Sequence, residues 1–316
     1  MAVALRVMVP VDVPLLVACS GGPDSIATLI AVARSHAGRV TAAWFDHTMR
    51  PAAEVAREGA VVRRVAGDIG IPVVEGRAMA TPRGEAAART ARYRWLARVA
   101  APSGVAACVT GHTRDDQAET VLLRLVRGAG ARGAAGMAPD APWPVVAPSA
   151  AALRLLRPLL DTSRLEVEAY LAALGVAAAH DPSNESREYA RNRVRHDVLP
   201  ALAEVNSEAV AHLAAFAARE RDDDAALSAW AERWLDEHAR PSDSALVLPR
   251  KALAALPPAV ARRVLAEAGA RLGLALGEAH LKALGRLAAG GPGLRVALAG
   301  GTAESRGTVL VVRRNA

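Results

Sequence analysis

Through residues 15–200, short apolar runs alternate with helix-like stretches. "LLVAC" (15–19) is apolar at every position, and a glycine turn and an apolar helix from about Ile26 to Ala33 follow it. "RVTAAWF" (39–45) is the next strand. Pro51 to about Ile69 is a helix with Val55, Val62, Val65 and Ile69 on one face, stopped at Gly70. "PVVEG" and "VAACVTG" supply two more strands, with a helix from about Glu85 to Val99 between them, and a further helix runs from about Asp116 to Val126. Strands apolar on both faces and separated by helices predict a mostly parallel, doubly wound α/β sheet covered by helices.

The segment 128–150, rich in Gly, Ala and Pro, reads as a loop. In "TSRLEVEAYLAALG", Ser163 and Glu166 form a capping box and Gly175 is the stop. Beyond about residue 205 the pattern changes. A long helix without intervening strands follows, carrying Trp230 and Trp234 on one face, and the tail holds two apolar strands around glycine turns. A chain of 316 residues exceeds one usual core, so two domains are expected: residues 1–205, and a smaller, mainly helical domain with a short β element over 206–316.

Apolar residues form 52% of the chain and charged ones 22%, a profile that excludes disorder. The net charge of +7 comes almost wholly from arginine, since Lys251 and Lys282 are the only lysines. Arginine forks suit phosphates and base edges, so nucleic acid is the favoured partner class. The run 77–98 carries six arginines against Glu85, with Tyr93 and Trp95 interleaved for base stacking or for the core. Cys19 and Cys108 sit in apolar strands with no metal spacing, which fits a reducing cytoplasm. "LVAC" resembles a lipoprotein signal, but Pro10, Asp12 and Pro14 interrupt its apolar region, and no run is long enough to span a bilayer.

The turn after the first strand is Ser20, Gly21, Gly22, Pro23, Asp24, Ser25. Glycines let the backbone approach an anion, and the helix that follows presents free N–H groups and a positive dipole end. This is a phosphate cradle. It is not a Walker A loop, because G-K-[ST] is absent. A second cluster, His112, Asp115, Asp116, Gln117 and Glu119, lies where a strand ends and a helix begins. Carboxylates in a first helical turn complement the dipole, yet that accounts for one or two acids and not for their His and Gln neighbours. Two tasks suit the cluster: holding Mg²⁺ against phosphates, or receiving a cationic substrate.

The hexapeptide has the S-G-G-x-D-S form of the PP-loop ATP pyrophosphatases. Together with "DHTMR" (46–50), "GHTRDDQAETVLLRLVRGAGARGAAGM" (111–137), "RPLL" (157–160) and "DPSNESREYARNRVRHDVLP" (181–200), it resembles the signature of the tRNA(Ile)-lysidine synthetases over residues 15–200. One departure stands out: the family form D-H-G-L-R is replaced here by Thr48 and Met49 between Asp46, His47 and Arg50. The resemblance implies a cytoplasmic ligase that binds tRNA(Ile) with a CAU anticodon and adenylates O2 of the wobble cytosine with ATP. Free L-lysine then displaces AMP to give lysidine.

The resemblance also implies roles: Ser20 to Ser25, Asp46, His47 and Arg127 at ATP, Asp24 on Mg²⁺, and His112 at the ATP phosphate or the adenylate. Asp116 and Glu119 would receive and deprotonate lysine, and Arg191 and Arg195 would face the developing pyrophosphate charge. It implies a short form with one C-terminal domain that helps hold the tRNA, and it admits a homodimer. Two rivals differ in visible ways. A PP-loop tRNA thiolase wants cysteines at the site, and a tRNA-binding module without catalysis wants a broken loop or missing acids.

Overall fold

The computed structural model describes residues 8–147, 152–179 and 185–315. The chain divides into two compact units between Arg219 and Glu220.

The first unit is built on a six-stranded sheet of β1 (Leu15–Cys19), β2 (Val40–Asp46), β3 (Val73–Arg77), β4 (Ala107–Val109), β5 (Asp140–Pro142) and β6 (Arg154–Leu156), in the order β3-β2-β1-β4-β6-β5. All pairs are parallel except β5 with β6. Leu15, Leu16 and Val17 are at most 1% exposed because β1 is central and covered on both faces, which is why its sequence shows no alternation. Helices α1 (Pro23–Ser35), α2 (Ala52–Asp68) and α3 (Glu85–Ala100) connect β1, β2, β3 and β4. From β1 the chain steps outward to β2 and β3, then returns to the other side of β1 to form β4. That reversal opens a crevice beyond the carboxyl ends of β1 and β4, where an open α/β sheet binds its ligand.

Helix α4 (Arg114–Val126) starts in the crevice, with Thr113 and Asp116 as a capping box. The predicted Gly/Ala/Pro loop contains a helical turn, α5 (Ala131–Ala134), and strand β5. Neither β5 nor β6 was expected, since β5 lies in the segment read as a loop and Arg154 and Arg157 interrupt the apolar residues around β6. Helix α6 (Arg164–Ala173) has the predicted Ser163/Glu166 capping box, and Gly175 beyond it takes φ +64°. Then come α7 (Ala190–Arg193), a π-helical turn over 194–198, and α8 (Leu199–Val205). Such π-turns often mark functional sites. Tyr93 and Trp95, 1% and 8% exposed, belong to the core around Leu96 and Leu155, so base stacking is not their role.

Helix α9 (Ala209–His238) crosses the division at Arg219. The second unit carries α10 (Arg250–Ala254), α11 (Pro258–Arg271) and α12 (Glu278–Ala289). Its five-stranded antiparallel sheet comprises β7 (Arg240–Ser242), β8 (Ala245–Pro249), β9 (Arg295–Leu298), β10 (Gly301–Arg306) and β11 (Val309–Arg314). The expected β element is therefore larger than its two tail strands, because β8 pairs with β11 from more than fifty positions earlier. Leu248, Val264, Leu284 and Leu310 centre its core. Of the predicted Trp stripe on α9, Trp234 is buried and Trp230 is 42% exposed.

Candidate active site

The loop after β1 is shaped by its own backbone. Gly21 takes φ +94°, and a Cβ there would lie 3.0 Å from the Glu58 carbonyl oxygen, so only glycine fits. Gly22 caps α1 in extended conformation, and a Cβ on it would meet only Ser20 Oγ, at 3.6 Å. Ser25 closes the turn: its Oγ donates to the Gly22 carbonyl at 2.9 Å and accepts from the Ser20 N–H at 3.1 Å. At the end of β4, Gly111 lets that strand approach α1, since a Cβ would stand 2.5 Å from the Asp24 carbonyl oxygen.

Asp24, at the N-terminal turn of α1, has a buried Oδ1 with no partner. Burial, and next Asp116, push its carboxyl up to about 6, with Arg164 and Arg195 opposing. A carboxylate oxygen left bare beside a phosphate cradle suits Mg²⁺, which takes one or two carboxylates together with phosphate oxygens. No group of three or more His, Cys, Asp or Glu ligands occurs among the described residues.

Across the crevice, α4 separates its acids. Asp115 accepts the Arg164 N–H at 2.8 Å and so caps α6. Asp116 uses Oδ2 for its capping box with Thr113 and turns Oδ1 toward Arg191 at 3.0 Å, Arg195 at 3.5 Å and Arg164 at 3.8 Å. Glu119, fully buried, accepts from Arg191 Nε at 2.7 Å and Arg195 Nε at 2.6 Å. Burial works against the Asp116 carboxylate, but Arg191, His112, the Thr113 N–H and Arg164 outweigh it and hold the group below the usual range. Asp116 is therefore a receptor for cations and a weak base.

His112 is pushed down to about 3, first by burial and then by Arg157, Arg89 and Arg92 against Asp116. It stays neutral at pH 7, and its Nδ1 lies 2.8 Å from Thr110 Oγ1. His47 is likewise neutral, held at about 4 by burial, Arg92 and Arg50. Asp46 accepts the Thr48 N–H at 2.6 Å and pairs with Arg77 at 3.2 Å. Arg50 grips the buried Glu58 through two bonds of 2.6 Å, and the Glu58 backbone abuts Gly21. The loop after β2 thus braces the phosphate loop.

Thr48, at the position where a glycine was expected, takes φ +58°, a conformation costly for a β-branched residue. Its hydroxyl and carbonyl bond Thr81 at 3.2 and 3.3 Å. Thr48→Gly is expected to raise stability by about 1 kcal/mol, strain relief exceeding the entropy cost of glycine. Urea unfolding checks this, and a loss would mean that the Thr81 bonds matter more.

The fold therefore brings together Ser20 to Ser25, Asp24, Asp46, His47, His112, Asp116, Glu119, Arg191 and Arg195, all within the first unit. Arg127, expected at the nucleotide, stands exposed at the far end of α4, about 16 Å along the helix from Asp116. "DPSN" (181–184) lies outside the described residues. The sequence marked no individual role for Arg164 or Arg157, and took Arg89 and Arg92 only as part of the basic run 77–98, suited to RNA phosphates. Arg164 did leave a signal, being a cation in the first turn of a capped helix, where the dipole disfavours it.

Residues 8–202 match the PP-loop domain, and residues 248–316 match the TilS substrate binding domain. The chain is 44% identical to the tRNA(Ile)-lysidine synthase of Salinispora tropica, over 95% of this chain and 88% of that protein. It is 39% identical to the tRNA(Ile)-lysidine synthase of Streptomyces coelicolor, over 87% of this chain and 78% of that protein. Among solved structures, the U34-tRNA thiolase NcsA from Methanococcus maripaludis, with its [4Fe-4S] cluster, superposes with a TM-score of 0.55 at 14% identity. It covers 69% of this chain and 76% of that one, a likeness of fold.

Proposed function

The chain belongs to the tRNA(Ile)-lysidine synthase family, and from that premise we propose that it joins free L-lysine to C2 of the wobble cytidine in the CAU anticodon of tRNA(Ile), converting ATP to AMP and pyrophosphate. The observation that carries this reading is a phosphate cradle with a bare carboxylate, Asp24, within electrostatic reach of Asp116 in the buried acid pair of Asp116 and Glu119. An ATP-using enzyme that accepts a cationic second substrate needs both.

In the first step the cytosine O2 attacks the α-phosphorus of ATP and pyrophosphate leaves. Ser20 to Ser25 cradle the phosphates with backbone N–H groups and the α1 dipole. Asp24 would hold Mg²⁺, which when bound screens phosphate charge. Neutral His112 offers its free ring nitrogen to the phosphate or the adenylate.

In the second step the lysine ε-amine attacks C2 and AMP leaves. The ammonium, with an unperturbed pKa of about 10.4, must first lose a proton. It replaces a guanidinium on Asp116 and Glu119. The acid pair receives the ammonium, and Glu119 is assigned its proton. Arg191 and Arg195, once released, turn to the phosphate anions. By then pyrophosphate has left, so the phosphate they can meet at this step is that of the departing AMP.

The thiolase reading finds no support at the site. Cys19 and Cys108 are buried in β1 and β4, and burial pushes the Cys108 thiol up to about 12 and Cys19 higher still. A binding module without catalysis would not keep the loop and both acids intact. No helix among the described residues is long and apolar enough to cross a membrane, and we place the reaction in the cytoplasm, where its tRNA is found.

The test is incubation with ATP, Mg²⁺, labelled lysine and a CAU-anticodon tRNA(Ile) transcript. Label should enter the tRNA with one AMP per lysine, and a GAU-anticodon transcript should stay unlabelled. Absence of label from the CAU transcript overturns the reading.

A further inference from the structure

Asp116, the outer member of the acid pair, lines a cavity of about 460 Å³ together with His112, Arg191 and Arg195, and with Glu85, Arg89 and Arg92 of α3. Arg191 and Arg195 are satisfied by Asp116 and Glu119. Arg89 and Arg92 differ. Among the described residues neither has a carboxylate within ion-pair distance, and Arg92 Nε is buried without any hydrogen-bond partner. Their guanidiniums lie 4.9 and 5.4 Å from the centre of the buried Tyr93 ring. Besides Tyr93, the influence of opposite sign on Arg89 is Glu85, one turn earlier on the same helix and on the same cavity wall, yet not within ion-pair distance of it.

Half-buried guanidiniums that make no ion pair are poorly satisfied until an anion completes them. The planar fork of arginine matches a carboxylate or a phosphate through two parallel bonds. We propose that Arg89, with Arg92 beside it, is the subsite for the α-carboxylate of the incoming lysine, an assignment that rests on the lysine-ligase reading above. The acid pair takes the ε-ammonium and the α3 arginines take the other end, with the four-carbon stem lying along the cavity past His112. That histidine senses both ends, feeling Asp116 together with Arg89 and Arg92. ATP phosphates already have the Ser20–Ser25 cradle. The carboxylate is the charged group of lysine for which the acid pair provides nothing. The subsite makes the enzyme select an amino acid over a simple diamine, because an amine lacking the carboxylate leaves both guanidiniums unpaired.

The experiment compares lysine with cadaverine, which lacks only the carboxylate, in the wild-type enzyme, Arg89→Met and Arg89→Lys. Adenylation of the tRNA before lysine is added is followed separately with ATP labelled in the α-phosphate. The wild type should use cadaverine about 30–100-fold less efficiently than lysine. Arg89→Met should raise KM for lysine by a similar factor, leave cadaverine use unchanged, and adenylate tRNA at near the wild-type rate. Arg89→Lys should recover part of the preference. Should Arg89→Met fail to fold, as judged by lost adenylation, Arg89→Lys alone carries the test through a reduced lysine-to-cadaverine ratio. A ratio unchanged in the variants overturns the proposal. If that comes with weakened tRNA binding, the arginines read an RNA phosphate instead. A wild-type enzyme that adenylates no tRNA and joins no amine fails the underlying reading, a result distinct from a failed carboxylate subsite.

Discussion

Asp24→Asn is expected to abolish most adenylation and, at the same time, to make the ligand-free protein more stable. In the folded chain the Asp24 carboxyl is raised to about 6 from an ordinary value of 3.8, by burial and then by Asp116. A carboxyl with a raised folded-state pKa favours the folded state fully below the unfolded value, and loses that contribution as pH rises through the folded one. The wild type therefore gives up stability between about pH 4 and pH 6, by about 3 kcal/mol at most. Asparagine has no charge to bury. The variant should exceed the wild type in urea unfolding at pH 8 and match it at pH 4. Its adenylation rate should fall on the order of 100- to 1,000-fold, the scale of losing one electrostatic group at a charged transition state. Adenylation that survives, or a stability loss at pH 8, would show that Asp24 is a structural residue.

Glu119→Gln should have the opposite effect on stability and separate the two chemical steps. The Glu119 carboxylate is fully buried and accepts bonds of 2.6 and 2.7 Å from Arg195 and Arg191, with Arg164 at 3.8 Å. Glutamine keeps the shape and removes the charge, so three guanidiniums are left to Asp116 alone. Breaking a buried pair in this way costs about 3–5 kcal/mol. Measured below the new unfolding temperature, lysine transfer should drop about 100-fold or more while tRNA adenylation drops far less, so adenylated tRNA accumulates. Equal loss of both steps would mean that Glu119 acts by holding Arg191 and Arg195 for the nucleotide, and lysine would need another base.

Much of the first unit was legible. Strand β1 reads as buried from five apolar residues in a row, and the α6 capping box is written in Ser163 and Glu166. The loop from Ser20 to Ser25 reads as a phosphate cradle from its glycines, and in the structure Gly21 adopts a backbone that only glycine takes easily. Less legible were strand β5, inside a Gly/Ala/Pro segment, strand β6, flanked by arginines, and the sheet of the second unit, whose β8 and β11 pair across three helices. Asp115 and Asp116 also looked equivalent. One residue of rotation around α4 sends Asp115 to the α6 backbone and Asp116 to the arginines.

By itself the sequence determined which chemical groups stand at strand ends, because apolar runs, glycine turns and helix caps are local and each leaves a mark within a few residues. Those marks single out Asp24, His112, Asp116 and Glu119, and of the arginines only Arg191 and Arg195. Only the tertiary structure decided which charges meet. Glu119 and Arg191 are 72 positions apart, and nothing in either neighbourhood specifies the other. Coulomb energies depend on distance and burial, so the same arginines could have been solvated surface. Packing α4 against α7 and the π-turn, deep in the crevice, made them partners of the acids and left Arg89 and Arg92 without one.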